Sequence, residues 1–100
     1  MLLNDSGFLF FMPRIEKNIQ IKNPQGLHAR PAAMFVQIAS KYNSSITIQK
    51  GDEKVNGRSI MGILTLGAQQ NCMVKLIVDG TDAEEATQEL ETLLNREKME

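Results

Sequence analysis

One hundred residues, 42% of them hydrophobic, suffice for a single core and are too few for a second large domain, and no apolar run approaches the length of a membrane-spanning helix. A net charge of −1 with acids and bases interspersed, no Trp and one Tyr argue against a nucleic-acid or anionic-membrane surface. The single cysteine, Cys72, excludes an internal disulfide scaffold and fits a reducing compartment.

Phe8-Leu9-Phe10-Phe11 is apolar, but Asp5 rather than a basic residue precedes it and no small-residue cleavage site follows, so it does not read as a secretory signal. Residues 1–12 are expected to form a loose terminal extension, with Met12 a candidate natural start, and residues 13–100 the folded domain. The cytoplasm is the expected location. Two glycosylation triplets, at Asn4 and Asn43, carry no weight without secretion.

Ile15, Ile19 and Ile21 alternate with polar residues and predict a half-buried first strand, which Asn23-Pro24-Gln25-Gly26 stops with turn chemistry. From Ala32 the spacing changes: Ala32, Phe35, Val36, Ala39 and Tyr42 mark a helix with Pro31 in its first turn and Asn43-Ser44 at its end. Ile46 and Ile48 restore alternation, and Lys50-Gly51-Asp52 predicts a hairpin into a short strand around Lys54-Val55. After the Asn56-Gly57-Arg58 loop, Ser59 is placed to cap a short apolar helix, Ile60 to Leu66, ended by Gly67. Cys72, Val74, Leu76 and Val78 mark the inward face of a fourth strand, with Cys72 read as a small buried hydrophobe.

Thr81 with Glu84 predicts a capping box for the last helix. Ala83, Ala86, Leu90, Leu93 and Leu94 would be its buried stripe, with Glu85, Glu89 and Glu91 facing water. The order βαββαβα predicts an α+β open-faced sandwich, a four-stranded antiparallel sheet wet on one face with three helices on the other.

Chemistry concentrates in Gly26-Leu27-His28-Ala29-Arg30-Pro31-Ala32, where the one histidine stands between a turn and a helix start. Free backbone N–H groups and the positive end of the helix dipole favour a phosphate dianion there and a neutral, nucleophilic imidazole. Arg30 adds a planar fork of donors for phosphate oxygens. On these residues alone, an exposed or capping histidine accounts for the pattern about as well. Gly57 and Gly62 have phosphate-loop spacing, but Ile63-Leu64 stands where Lys-Ser/Thr is required. No His/Cys cluster offers a metal site, and no cofactor is called for.

The segment from Gly26 to Ala32 closely resembles the active-site signature of the HPr family, the histidine-containing phosphocarriers of the bacterial phosphoenolpyruvate:sugar phosphotransferase system. A second block, Asn56 to Gly67, resembles that family's regulatory-serine segment, and the likeness spans about Pro13 to Asn95. The resemblance implies that His28 takes a phosphoryl group on Nδ1 from phospho-Enzyme I and donates it to Enzyme II A domains. Arg30 and the backbone N–H groups of Ala29 and Arg30 would stabilise the transferred group. Ser59 would be the target of a serine kinase/phosphorylase where the host has one, and Ile60, Met61 and Leu64 would dock both partners. An ordinary N-cap also accounts for Ser59, and the two roles are compatible.

The implied protein is a monomeric transfer intermediate rather than a turnover enzyme, without nucleic-acid binding or membrane insertion. Two alternatives within the family are a mainly regulatory phosphoprotein, of which such paralogues often lack the histidine, and a nitrogen-related paralogue. A ferredoxin-like RNA binder is opposed by the missing aromatics and the near-neutral charge.

Overall fold

The computed structural model describes residues 13–97. The expected extension over residues 1–12 lies outside the described residues, as does the end of the predicted domain at residues 98–100. Four strands and three helices follow in the predicted order: β1 (Arg14–Gln20), α1 (Ala29–Ala39), β2 (Ser45–Lys50), β3 (Glu53–Asn56), α2 (Ile60–Leu66), β4 (Met73–Asp79) and α3 (Ala83–Asn95). The sheet is antiparallel throughout with spatial order β1-β4-β2-β3, so the last strand made is an inner one.

Alternation along the strands separates two environments. Ile19, Ile46, Ile48, Val74, Leu76 and Val78 point to the helices and join Phe35, Ile63, Leu90, Leu93 and Leu94 in one core. Opposite them, Arg14, Glu16, Lys75 and Asp79 form an exposed ion-pair lattice, with Arg14 2.7 Å from Glu16 and Lys75 3.6 Å from Glu16. Hydrogen bonding and charge from Arg14 hold the Glu16 carboxyl below its ordinary value. Such exposed pairs contribute little to stability; they keep one face of the sheet wet.

Three expectations are corrected. The first helix starts at Ala29 and stops at Ala39, short of Tyr42. Arg58 explains the early stop, because its guanidinium takes up the Tyr42 and Ser44 carbonyls and turns the chain into β2. Cys72 is half-buried and precedes β4 instead of lying within it; its carbonyl accepts the Ile21 N–H at 2.9 Å. The capping box at Thr81 does not form: the N-cap of α3 is Asp82, without a capping bond. The Asp82 carboxylate instead accepts the Asn43 N–H (2.8 Å), the Ser44 N–H (3.0 Å) and the Ser44 hydroxyl, which lower its pKa.

Two of the supposedly solvated acids are also engaged. Glu89 accepts from Lys41 (2.6 Å) and from the Tyr42 hydroxyl, joining α3 to the end of α1, and Glu91 accepts from Lys17 at 2.6 Å. Hydrogen bonding to Glu89 pushes the Tyr42 phenol up to about 12.

Candidate functional site

The loop before α1 is built to hold its own backbone. Asn23 is fully buried, and its amide nitrogen donates to the Gly26 carbonyl at 3.0 Å while its side-chain oxygen accepts the Gln25 N–H at 3.1 Å. Gly26 turns with φ +61°, and a Cβ there would lie 2.6 Å from the Ala68 carbonyl oxygen. Only a residue without a side chain fits that approach. Leu27 then drops into the core and donates its N–H to the same Ala68 carbonyl at 2.8 Å.

His28 follows as the N-cap of α1, in extended backbone (φ −84°, ψ −167°), exposed, and without a capping bond from its ring. Its carbonyl accepts the first helical N–H, that of Ala32, at 2.8 Å. Of the three helical positions before Ala32, Pro31 has no N–H, so Ala29 and Arg30 carry the donors of this helix start, which no described residue takes up. Both are exposed beside His28. A nucleophilic ring, two directed N–H groups and a guanidinium therefore share one exposed helix end, where the dipole favours an anion.

Helix α2 links this site to Ser59. The Ser59 Oγ accepts the Gly62 N–H at 3.0 Å, as the sequence predicts for an N-cap. The other end of α2 closes at Gly67, in left-handed backbone, and runs directly into the Ala68 carbonyl that holds Leu27. His28 and Ser59 thus belong to opposite ends of a seven-residue helix. Between them Met61 is 66% exposed, Ile60 39% and Leu64 37%, while Ile63 and Leu66 are buried. The three predicted docking residues form the outward stripe.

Two contributors escaped the sequence reading. Asn23 is recognisable there as a turn former, but nothing in the local pattern marks it as buried or shows that the Gly26 it holds lies against Ala68. Arg58 lies in what reads as a loop, yet its N–H is tied to Asn56 Oδ1 at 2.8 Å and its guanidinium to the Tyr42 and Ser44 carbonyls between α1 and β2. Among the described residues, no group of three or more His, Cys, Asp or Glu side chains could hold a metal, and no helix is long and apolar enough to cross a membrane.

Comparison with known proteins finds the same fold and related sequences elsewhere. A family model described as the PTS HPr component phosphorylation site matches residues 15–96. The chain is 41% identical to the HPr-like protein Crh of Halalkalibacterium halodurans over 83 residues, covering 83% of this chain and 99% of that protein. It is also 41% identical to the phosphocarrier protein HPr of Neisseria meningitidis, over 81% of this chain and 91% of the relative.

Among solved structures, HPr from Bacillus anthracis gives a TM-score of 0.79 at 40% identity, covering 81% of this chain and 96% of that one. HPr-C-His from Thermoanaerobacter tengcongensis gives 0.76 at 50% identity, covering 84% and 99%. The fold, the histidine-bearing helix end and the match over nearly the whole described chain lead to one conclusion: the chain belongs to the HPr family of phosphotransferase-system phosphocarriers.

Proposed function

We propose that His28 is the phosphoryl-carrying residue, loaded by phospho-Enzyme I and unloaded onto Enzyme II A domains in sugar uptake. The supporting observation is the exposed, internally uncapped ring of His28 next to the unpaired Ala29 and Arg30 N–H groups. The Nδ1 lone pair forms a P–N bond as the bond from phosphorus to the donor breaks, and the reverse exchange unloads it. In-line transfer of this kind demands positioning and charge stabilisation more than acid–base chemistry. The Ala29 and Arg30 amides and the Arg30 guanidinium supply donors for the phosphoryl oxygens. Nothing is turned over: the protein is a transfer intermediate that must be gripped by two partners in succession.

Ile60, Met61 and Leu64 are the proposed grip, since their exposure beside the site leaves apolar area for either partner to cover. Phosphorylation of Ser59 would put about two negative charges beside that stripe and remove the cap geometry of α2. The test is incubation with phosphoenolpyruvate and Enzyme I, followed by intact mass. Wild type should gain one acid-labile phosphoryl group, and a folded His28→Ala variant none. Equal labelling of His28→Ala would end the proposal.

Similarity to the HPr-like protein Crh favours a second reading, in which Ser59 modification is the main event and transport is secondary. The presence of His28 favours the carrier. Labelling by Enzyme I separates the two, because a purely regulatory protein would not load at His28. The working unit is proposed to be a monomer in the cytoplasm; a structure of Bacillus subtilis Crh is described as a swapped, intertwined dimer, so sedimentation of this chain is the direct check.

A further inference from the structure

We infer that Asn23 is a positioning residue for phosphoryl transfer, acting on His28 through the backbone of the loop; the inference rests on the carrier reading above. Asn23, Ser44 and Thr87 are the buried polar residues among those described, and Asn23 stands nearest in sequence to the site. Its position, five residues before His28, is too deep for contact with a partner or with phosphate. Every polar group it offers to the loop is nevertheless used. The side-chain N–H donates to the Gly26 carbonyl (3.0 Å), Oδ1 accepts from Gln25 N–H (3.1 Å), and the main-chain carbonyl accepts from Gly26 N–H (2.9 Å).

Two of these bonds hold Gly26 from both sides, where the contact with Ala68 leaves no slack, and the third ties down Gln25 before it. Leu27, next in line, is pinned by its own N–H and by burial. The ring of His28, by contrast, has no capping bond to orient it. The placement of its Cα, and of the Ala29 and Arg30 amides that follow, is therefore inherited from a loop whose closure Asn23 supplies. Misplacement of a reacting group by about 1 Å can cost on the order of 100-fold in rate.

Two substitutions probe this. Asn23→Asp keeps the shape and the acceptor for Gln25 N–H but turns the donor facing the Gly26 carbonyl into a second acceptor. Asn23→Ala removes both. Steady-state loading by Enzyme I, measured well below the melting temperature, should show kcat reduced about 10- to 100-fold, with KM for the carrier within about twofold because the α2 stripe is untouched. The Ala29 and Arg30 amide resonances should shift in both folded variants, with those of Ile60, Met61 and Leu64 unchanged.

Wild-type kcat in Asn23→Asp would overturn the inference, as would a kcat loss that appears only near the melting transition. Should Asn23→Ala fail to fold, Asn23→Asp decides alone; should both fail, Gln25→Pro, which removes the N–H that Oδ1 accepts and leaves Asn23 in place, must lower kcat in the same way. Failure of the carrier reading itself shows elsewhere, as undiminished labelling of His28→Ala.

Discussion

Gly26 and Gly51 provide a matched pair for measuring how tightly the His28 loop is held. Their φ angles are +61° and +60°, but a Cβ on Gly51 meets nothing within 4 Å, whereas on Gly26 it lies 2.6 Å from the Ala68 oxygen and 2.8 Å from Gln69 Cα. Alanine in left-handed backbone costs about 1–2 kcal/mol, partly offset by about 0.4–1 kcal/mol from the less flexible unfolded chain. Gly51→Ala should therefore lose no more than about 1.6 kcal/mol.

Gly26→Ala carries the same conformational cost and a steric one. The obstructing atoms are backbone, and Ala68 cannot retreat without breaking its 2.8 Å bond from Leu27. Overpacking of this kind adds about 1–3 kcal/mol. At roughly 4–8 °C per kcal/mol for a domain of this size, Gly26→Ala should melt roughly 5–20 °C below Gly51→Ala. Circular dichroism melts of the two variants, side by side with wild type, suffice. Midpoints within a degree or two of each other would mean that the loop yields freely, and the account of a rigidly held His28 would fall with them.

Three further outcomes follow from the same contacts. Ser59→Ala should lose about 1 kcal/mol from the Gly62 cap, while Ser59→Asp, which preserves a capping oxygen, should fold normally but load more slowly at His28 through weaker docking; normal loading kinetics in Ser59→Asp would remove the docking role of α2. The lone tyrosine allows a direct ultraviolet titration: Tyr42 should ionise near 12 in wild type and nearer its ordinary 10.0 in Glu89→Gln, and an identical titration in both would dissociate the phenol from Glu89. The Asp82 pKa is lowered by its bonds to Ser44 and Asn43, so its stabilising effect is present above the ordinary value of 3.8 and disappears as pH falls through the lower folded value. Urea midpoints of Asp82→Asn should accordingly decline less steeply than those of wild type over that acid range, and parallel declines would show that Asp82 is not the group responsible.

Local patterns carried the element order and much of the site. Alternating isoleucines, the Ser59 cap and the stop at Gly67 are each decided within a few residues, which is why they are legible without coordinates. His28 and Arg30 stand out because one turn-to-helix junction collects a nucleophile and donors for an anion. Illegible were features in which a distant partner overrides a local preference. Thr81 and Glu84 spell a capping box, but Asp82 is recruited by the Asn43–Ser44 turn and the chain enters α3 through it. Tyr42 continues the helical spacing of α1, yet Arg58 draws its carbonyl away. Asn23 reads as a turn residue; that it is buried, and that the Gly26 it holds lies against Ala68, is set by the tertiary fold.

The strand order has a kinetic consequence as well. β2 and β3 pair across a short turn and can form as soon as both are made, whereas among the described residues β1 has no neighbour in the sheet except β4, nearly 60 residues later. Loop-closure entropy places that pairing late. During synthesis β1 and its apolar side chains must wait, unpartnered, until Met73–Asp79 emerges and slots between β1 and β2, completing both ladders at once. The arrival of one central strand thus converts a hairpin and loose helices into a closed core, and any delay there prolongs the interval in which Ile15, Ile19 and Ile21 are open to misassociation.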